Sequence, residues 1–281
     1  MDRDQILDLF DDMADEISQA LPGLADWGLS GERATQYHHD VLADEIIVSR
    51  LLAAGFSVLS EESGLINTGG PLTVVVDPID GSTNASRGLP WFGTSLCAVD
   101  EQGPVVALVA NLADGRRYRA QEGEGFDVTD PGRNDIVEPD TTPDGMSETS
   151  PETTLGRRHR FDPGGFGPSG CHDLTQAILG FSGLPPDHGG WAQFRALGAA
   201  ALDMCAVATG RLDGFIDLDR AHGVWDYLGA LLVCDEAGVA VAETAGEELV
   251  VLDPAARRGP VVAATETLLD SMLDMIRRWS V

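Results

Sequence analysis

The spacing of hydrophobic and polar residues predicts a chain in which helices and strands alternate. Near the start, apolar residues recur every three or four positions, as on one face of a helix. They are Ile6, Phe10, Met13 and Ile17. Further helices are predicted at residues 40–54, 173–179, 198–209, 224–236 and 266–279, and strands at 56–59, 72–76, 94–99, 105–112, 116–120, 214–217, 247–252 and 261–264.

These elements divide the chain into two structured parts and a connection, which together we expect to form one compact unit. The hydrophobic pattern of residues 1–126 predicts two helices followed by a mostly antiparallel sheet. In residues 171–281 the pattern again predicts alternating helices and strands. Residues 127–170 are rich in Asp, Pro, Thr, Ser and Gly and show little periodicity, which is typical of an irregular surface connection. The fold class expected is α/β.

The stretch with the most specific chemistry is 77–84, Asp-Pro-Ile-Asp-Gly-Ser-Thr-Asn, directly after the apolar strand 72–76. Two carboxylates at the end of a strand suit a hard divalent cation. A glycine followed by two hydroxyl residues suits a loop that opens a helix, where free backbone N–H groups bind phosphate. The alternative is an ordinary Asp-Gly turn followed by a helix-capping serine.

Two other acidic positions favour the metal-phosphate interpretation. Glu61 and Glu62 follow the short strand 56–59, and we expect Glu62 to be only an exposed charge. Asp226 lies within the apolar segment 223–233, where we expect the first turn of a helix. A carboxylate in such a segment is costly unless it is paired or bound to a metal.

Together the three segments resemble the inositol monophosphatase family, which shares a superfamily with fructose-1,6-bisphosphatase. The resemblance implies a layered α/β/α/β/α sandwich. It also implies a Mg²⁺-dependent phosphomonoesterase, with two or three ions, that hydrolyses inositol-1-phosphate, fructose-1,6-bisphosphate or both through a metal-activated water. A 3′-phosphoadenosine 5′-phosphate phosphatase of the same superfamily is the alternative substrate class.

The resemblance also assigns site residues. The implied metal ligands are Glu61, Asp77, Asp80, Asp226 and the backbone carbonyl of Ile79. Asp77 would bridge two ions, Glu61 would orient the attacking water, and Asp80 and Asp226 would hold the second ion. Ser82 would hydrogen-bond the water, and the N–H groups of Gly81 and Ser82 would bind the phosphate. Asp40 would support a third ion, with Asp44 as the alternate.

On the substrate side, the resemblance implies binding by Gly198, Ala199, Ala200 and Asp217. The cluster of Arg157, Arg158 and Arg160 suits a second substrate phosphate, because guanidinium groups bind phosphate in a bidentate manner; a solvated surface patch is the alternative. His38 and His39, where the family often has small or hydroxyl residues, favour exposed loop positions over a softer-metal site.

Charge excludes several partners. The chain has 46 acidic residues against 18 basic ones, all arginine, for a net charge of −28. Such an excess argues against nucleic acid or an anionic membrane as a partner. This acidic excess resembles the surfaces of proteins from halophilic archaea.

Four cysteines without paired spacing indicate neither a zinc site nor a disulfide framework. No signal-like segment is evident, so we expect a cytoplasmic protein. The resemblance implies a small phosphorylated polyol or sugar as the substrate, and we expect a homodimer.

Two rival functions stay open. A haloacid dehalogenase-type phosphatase also carries two aspartates near a strand end, but its aspartates are two residues apart, whereas Asp77 and Asp80 are three apart. A non-catalytic family member would be expected to lose a metal carboxylate, yet all four main ones are present.

Overall fold

The computed structural model describes residues 1–31, 33, 35–131 and 166–279. The helices are α1 (Arg3–Ala20), α2 (His38–Ala53), α3 (Ser82–Arg87), α4 (Ala200–Ala208), α5 (Leu228–Glu236) and α6 (Glu266–Trp279). The strands are β1 (Ser57–Ser60), β2 (Gly64–Ile66), β3 (Thr73–Asp80), β4 (Gly93–Val99), β5 (Pro104–Asn111), β6 (Arg117–Gln121), β7 (Gly125–Thr129), β8 (Ile178–Ser182), β9 (Gln193–Arg195), β10 (Gly214–Asp217), β11 (Ala240–Glu243) and β12 (Pro260–Ala263).

The first sheet has seven strands in the order β2-β1-β3-β4-β5-β6-β7. Its neighbours are antiparallel except for the parallel pair β1 and β3. Along β3, Val74 and Val76 pack with α1 and α2, whereas Val75 packs with α4 and α5 on the other face. Helices therefore cover both faces, and this explains why the segment before the acidic motif is continuously apolar rather than alternating.

The second sheet has five strands in the order β11-β12-β10-β8-β9. Phe215 and Val262 face α4 and α5, whereas Ile216 and Val261 face α6. The helix pair α4–α5 is thus shared between the two sheets. The resulting layers are helices, sheet, helices, sheet and helix, so the α/β/α/β/α sandwich that the sequence resemblance implied is confirmed.

The opening helix is formed as the periodicity predicts. Ile6, Phe10, Met13 and Ile17 are all buried. At its start, the Asp2 carboxylate accepts the Gln5 N–H at 2.9 Å, and the Gln5 side chain accepts the Asp2 N–H at 3.0 Å. This reciprocal cap satisfies two backbone donors that a helix N-terminus otherwise leaves free.

Several predicted elements are wrong. The predicted helix 173–179 is a short 3₁₀ turn, Leu174–Gln176, followed by β8. The Asp173 side chain caps that turn and the buried positions in β8 pair with β10, so tertiary pairing outweighs a weak local preference. The predicted strand 247–252 is absent from the described structure; Val250 and Leu252 are 42% and 38% exposed, and the strand of this region is β11 instead.

Among the described residues, no helix combines the length and the apolar character that crossing a bilayer requires.

Candidate metal-phosphate site

The two aspartates of the motif lie within β3, which continues past the predicted end at 76 to Asp80. In its pairing with β4, Asp77 is opposite Ser95 and Asp80 is opposite Gly93, with a register shift between them. A spacing of three places side chains on opposite faces of a regular strand, and a β-bulge removes that restriction. The shift therefore lets both carboxylates face one acidic cluster.

Asp77 is the centre of this cluster. It is 1% exposed, and both of its carboxylate oxygens are buried without a hydrogen-bond partner among the described residues. Its backbone carbonyl accepts the Thr94 hydroxyl at 3.2 Å, which fixes the strand beneath the carboxylate. A buried, unpartnered carboxylate carries a large desolvation penalty. Its oxygens therefore fit a bound cation better than they fit a structural role.

Glu61 and Asp226 complete a group of three carboxylates around Asp77. One ligand oxygen from each residue lies within 4.8 Å of the other two. Glu61 follows β1, and its N–H donates to the Val76 carbonyl at 3.1 Å, so the parallel pairing of β1 with β3 carries it to Asp77. Because divalent cations take oxygen ligands from several segments, the three residues fit a metal centre.

The position of Asp226 differs from the prediction. It ends a 3₁₀ turn, Val224–Asp226, and α5 begins only at Leu228. Its carboxylate accepts the Gly223 N–H at 2.6 Å and lies 3.5 Å from Nδ1 of His222. The turn satisfies part of the carboxylate while leaving the remainder to face Asp77 and Glu61.

Asp80 is held by the second half of the molecule. Its two oxygens accept the N–H groups of Ala200 at 3.2 Å and Ala201 at 2.8 Å, at the start of α4. The unpaired N–H groups and the positive end of a helix dipole stabilise such an anion. The N–H of Ala200, which the resemblance assigned to substrate, is thus engaged by Asp80 in this structure.

Burial and mutual repulsion raise the pKa values of Asp77, Asp80 and Glu61. Desolvation, and then the neighbouring carboxylates, hold the pKa of Asp77 well above its usual range. Desolvation, and then the charge of Asp226, raise the pKa of Asp80 to about 7. The hydrogen bonds from the N–H groups of α4 lower this pKa but do not cancel the increase. The pKa of Glu61 is also raised, although part of this side chain reaches solvent, which weakens the shift. Without a cation, burial and repulsion therefore favour the protonated forms of these three carboxylates.

The loop after β3 has the conformation that its glycine predicts. Gly81 adopts φ +84°, and a Cβ atom there would lie 3.0 Å from the Trp91 carbonyl and 3.1 Å from Cβ of Ala199. Only glycine tolerates both the left-handed backbone and this contact. From this position the chain enters α3 at Ser82, where the first N–H groups have no intrahelical acceptor. The arrangement can bind a phosphate.

Ser82 links the motif to α2. Its hydroxyl donates to the Ile79 carbonyl at 2.8 Å, and the residue lies near the Asp40 carboxylate. Burial raises the pKa of Asp40 to about 6. The Tyr37 N–H donates to the carboxylate at 2.8 Å, which lowers the pKa but does not cancel the effect of burial. The carbonyl of Ile79, implied as a metal ligand, therefore accepts a hydroxyl proton here.

Asp44, the alternate to Asp40 as a ligand of a third ion, has a structural role instead. Its two oxygens accept the hydroxyls of Ser60 and Ser63, which tie α2 to the segment that carries Glu61. Of the two candidates, Asp40 is the one near Ser82. Glu62, expected to be only an exposed charge, is instead 10% exposed at its side chain and accepts from Gln36 and Arg33.

The expectation that His38 and His39 are exposed loop residues is wrong for His39 and wrong in part for His38, whose side chain is 40% exposed but lies in a helix. They begin α2, and His39 is fully buried between the rings of Tyr37 and Trp27, at centroid distances of 5.1 Å and 5.3 Å. Burial lowers the pKa of His39 to about 4, so the ring is neutral. It is a packed aromatic side chain of the N-terminal layer.

The substrate-side residues are brought to the same region only in part. Gly198, at φ +84°, and Ala199 lie against the phosphate loop, and the Asn84 amide donates to the carbonyls of Leu197 and Trp91, both at 2.7 Å. Asp217 is fully buried and accepts two backbone N–H groups of its own loop. Arg157, Arg158 and Arg160 lie outside the described residues.

Sequence reasoning missed two residues of this site. His222 lies between Asp226 and Asp217, and Asp203 is buried and accepts the Trp91 indole N–H at 2.8 Å. Hydrogen bonding to Asp226 and the nearby carboxylates outweigh burial and raise the pKa of His222 to about 9, which makes it a cation at neutral pH. The signal for His222 was its place four residues before Asp226.

Comparison with known proteins identifies the family of this chain. A model of the inositol monophosphatase family matches residues 14–277. A fructose-1,6-bisphosphatase/inositol-1-monophosphatase of Thermococcus kodakarensis is 30% identical over 239 residues, which cover 85% of this chain and 81% of that protein. An inositol-1-monophosphatase of Mesorhizobium japonicum is 32% identical over 249 residues, which cover 85% of this chain and 81% of that protein.

The fold is shared as well. The solved structure of an extragenic suppressor from Pyrococcus furiosus matches with a TM-score of 0.74 and 22% identity, covering 96% of this chain and 99% of that one. The chain therefore belongs to the inositol monophosphatase family and is a phosphoric monoester hydrolase of that family.

Proposed function

We propose that the protein is a Mg²⁺-dependent phosphomonoesterase that hydrolyses inositol-1-phosphate, fructose-1,6-bisphosphate or both. The observation that carries the proposal is the group of Glu61, Asp77 and Asp226 oxygens within 4.8 Å, centred on a buried carboxylate without a protein partner. Asp80 extends the group, and the loop at Gly81 lies beside it. The names of two relatives, one a dual fructose-1,6-bisphosphatase/inositol-1-monophosphatase and one an inositol-1-monophosphatase, support the substrate class.

The chain's own residues would divide the work as follows. Glu61, Asp77, Asp80 and Asp226 would hold the cations, with the Ile79 carbonyl as a further ligand. When bound, Mg²⁺ neutralises phosphoryl oxygens, lowers the pKa of a water and stabilises the leaving oxygen. The N–H groups of Gly81 and Ser82 would orient the phosphate at the start of α3.

Ser82 and Asp40 would act on the water. The Ser82 hydroxyl donates to the Ile79 carbonyl and lies near the Asp40 carboxylate. Its oxygen keeps its lone pairs while it donates, so it can accept a hydrogen bond from the attacking water. Glu61, partly open to solvent at the edge of the group, would take the proton that the water loses.

The test is phosphate release from three esters, with and without Mg²⁺. Inositol-1-phosphate, fructose-1,6-bisphosphate and 3′-phosphoadenosine 5′-phosphate are compared by kcat/KM. We expect activity that EDTA removes and that favours the first two esters. A preference for the adenosine ester would overturn the substrate proposal, and activity that persists in EDTA would overturn the metal dependence.

The attack is proposed to be direct. Hydrolysis of a chiral phosphate ester in ¹⁸O-labelled water should then invert the configuration at phosphorus. Retention, or a trapped aspartyl phosphate, would support a dehalogenase-type mechanism instead.

We also propose a homodimer. Phe194, on the edge strand β9, is 53% exposed, and Leu184 nearby in sequence is 89% exposed. Exposed apolar side chains at the edge of a sheet are a common contact surface. Light scattering at micromolar concentration should give about twice the 29.8 kDa chain mass, and Phe194→Glu should give a monomer. A monomeric wild type would refute it.

A further inference from the structure

We propose that Arg220 and Glu243 form a clamp that positions Asp226 and His222 against the carboxylates of the first sheet. The inference rests on the proposed function, because it concerns how that metal site is held. Neither residue of the clamp is among the candidate ligands. Both are therefore positioning residues and not catalytic ones.

The connection that the clamp holds joins the two halves of the site. β10 ends at Asp217, and residues 218–223 lead from it to the turn that carries Asp226. Glu61 and Asp77 belong to the first sheet, so Asp226 is the one member of the three-carboxylate group that comes from this connection. The path of the connection therefore sets the distance between Asp226 and the other two carboxylates.

Arg220 is the exceptional residue in this path. Its φ is +50°, and it is the single non-glycine residue with positive φ in the part of the chain that the structure describes. A side chain with a Cβ atom is strained in the left-handed region, whereas glycine adopts it freely. An arginine at such a position implies that its side chain compensates for the backbone strain.

The compensation comes from a buried acceptor. Nε of Arg220 donates to Glu243 at 3.0 Å, and Nη2 donates to Glu247 at 2.7 Å. The Glu243 side chain is 1% exposed and accepts the N–H groups of Ala245 at 2.6 Å, Gly259 at 3.0 Å and Glu247 at 3.1 Å. The Thr244 hydroxyl lies 3.3 Å from the same carboxylate. Five donors on one buried carboxylate make it a fixed anchor, and Arg220 connects the strained backbone to that anchor.

The residues on either side of Arg220 are fixed as well. The Asp217 carboxylate accepts the N–H groups of Asp219 at 3.0 Å and Ala221 at 3.1 Å. The His222 carbonyl accepts the Arg258 N–H at 2.9 Å. These bonds leave the His222 ring 3.5 Å from Asp226 and 3.9 Å from Asp217. The clamp therefore acts on Asp226 through a short path that several hydrogen bonds hold in place.

An ordinary surface ion pair would look different. Arg50 provides the comparison: its side chain is 37% exposed against 38% for Arg220, and it too bridges two carboxylates, Asp12 and Glu16. Arg50 lies in the helical backbone of α2, and its partners are 70% and 48% exposed. It is the matched control, because its loss removes a similar ion pair at a site that does not lead to Asp226.

The experiment measures Mn²⁺ affinity by electron paramagnetic resonance, together with the melting temperature, in 1 M KCl. The variants are Arg220→Gly, Arg220→Lys and Arg50→Gln. Glycine accepts φ +50° without strain, so Arg220→Gly should fold while losing the clamp. We expect its Mn²⁺ affinity to fall about 10-fold or more, as for other residues that orient metal ligands. Arg220→Lys should recover part of the loss, and Arg50→Gln should retain wild-type affinity.

A second readout is the Mg²⁺ dependence of phosphate release. Arg220→Gly should need about 10-fold more Mg²⁺ for half-maximal rate, while KM for the ester stays within about twofold of wild type. Wild-type cation affinity in Arg220→Gly, or an equal loss in Arg50→Gln, would overturn the clamp alone. A wild-type protein that binds no Mn²⁺ would overturn the proposed function and the clamp with it.

Discussion

The cation-free protein should lose stability as the pH rises from about 5 to about 8. In the folded state, burial and neighbouring charges raise the pKa of Asp80 from 3.8 to about 7 and that of Asp40 from 3.8 to about 6. Between the unfolded and folded pKa values, the folded state binds more protons than the unfolded state. Stability then falls with rising pH, and the loss is complete once the pH passes the folded value.

The magnitude follows from the pKa change. For Asp80, the difference between 3.8 and about 7 corresponds to about 4 kcal/mol, at about 1.4 kcal/mol for each pH unit. Asp40 would add up to about 3 kcal/mol, but the groups repel one another, so the contributions do not sum. The assay starts at pH 5, so the Asp80 loss within it is about 3 kcal/mol, and His39, whose pKa is lowered to about 4, offsets part of this loss below pH 6.5. For a chain of this size, the melting temperature should decrease on the order of 5 °C.

The assay is a series of thermal melts from pH 5 to pH 8 in EDTA and 1 M KCl, where salt suppresses the repulsion among surface carboxylates. Saturating Mg²⁺ should remove or reverse the decrease, because cations bind the ionised carboxylates. Asp77→Asn, which removes the central charge, should flatten the pH dependence and raise the melting temperature at pH 7.5. A cation-free melting temperature that is constant or rises over this range would refute the reasoning.

Three further predictions concern single residues and the surface. Ser82→Ala should lower kcat more than it raises KM, because its hydroxyl serves the attacking water; equal changes in both constants would contradict that role. Gly93→Ala should destabilise the protein by more than about 2 kcal/mol in chemical denaturation, because the new Cβ would lie 2.3 Å from the Ala110 carbonyl, and a near-neutral effect would contradict this packing. With a net charge of −28 and no lysine, the melting temperature should rise from 0.1 to 3 M KCl; a constant or falling value would exclude adaptation to high salt.

The site could be predicted from the sequence where its chemistry is local. The motif from Asp77 to Ser82 combines a buried strand, two carboxylates and a glycine within a few residues, so its place at the end of β3 follows from pattern alone. The bulge between Asp77 and Asp80 does not, because it depends on pairing with β4. The capping of Asp80 by Ala200 and Ala201 joins residues 120 and 121 positions apart, which no local pattern encodes.

The fold shows the same division. Helix α6 agrees with its amphipathic pattern at both ends, since one face packs on the second sheet and the other faces solvent. β8 was mistaken for a helix because its identity comes from parallel pairing with β10 and β9. The path through Arg220 was also hidden, because an arginine at positive φ carries no signal in the sequence.

The central claim is that Asp77 holds the cations on which hydrolysis depends, and the most direct test is the rate of Asp77→Asn at saturating Mg²⁺. The substitution keeps the size of the side chain and removes the charge that burial has left without a protein partner. We expect phosphate release from inositol-1-phosphate and fructose-1,6-bisphosphate to fall by ~10²-fold or more, with the folded structure retained by circular dichroism. A folded Asp77→Asn enzyme with activity within a few-fold of wild type would contradict the account.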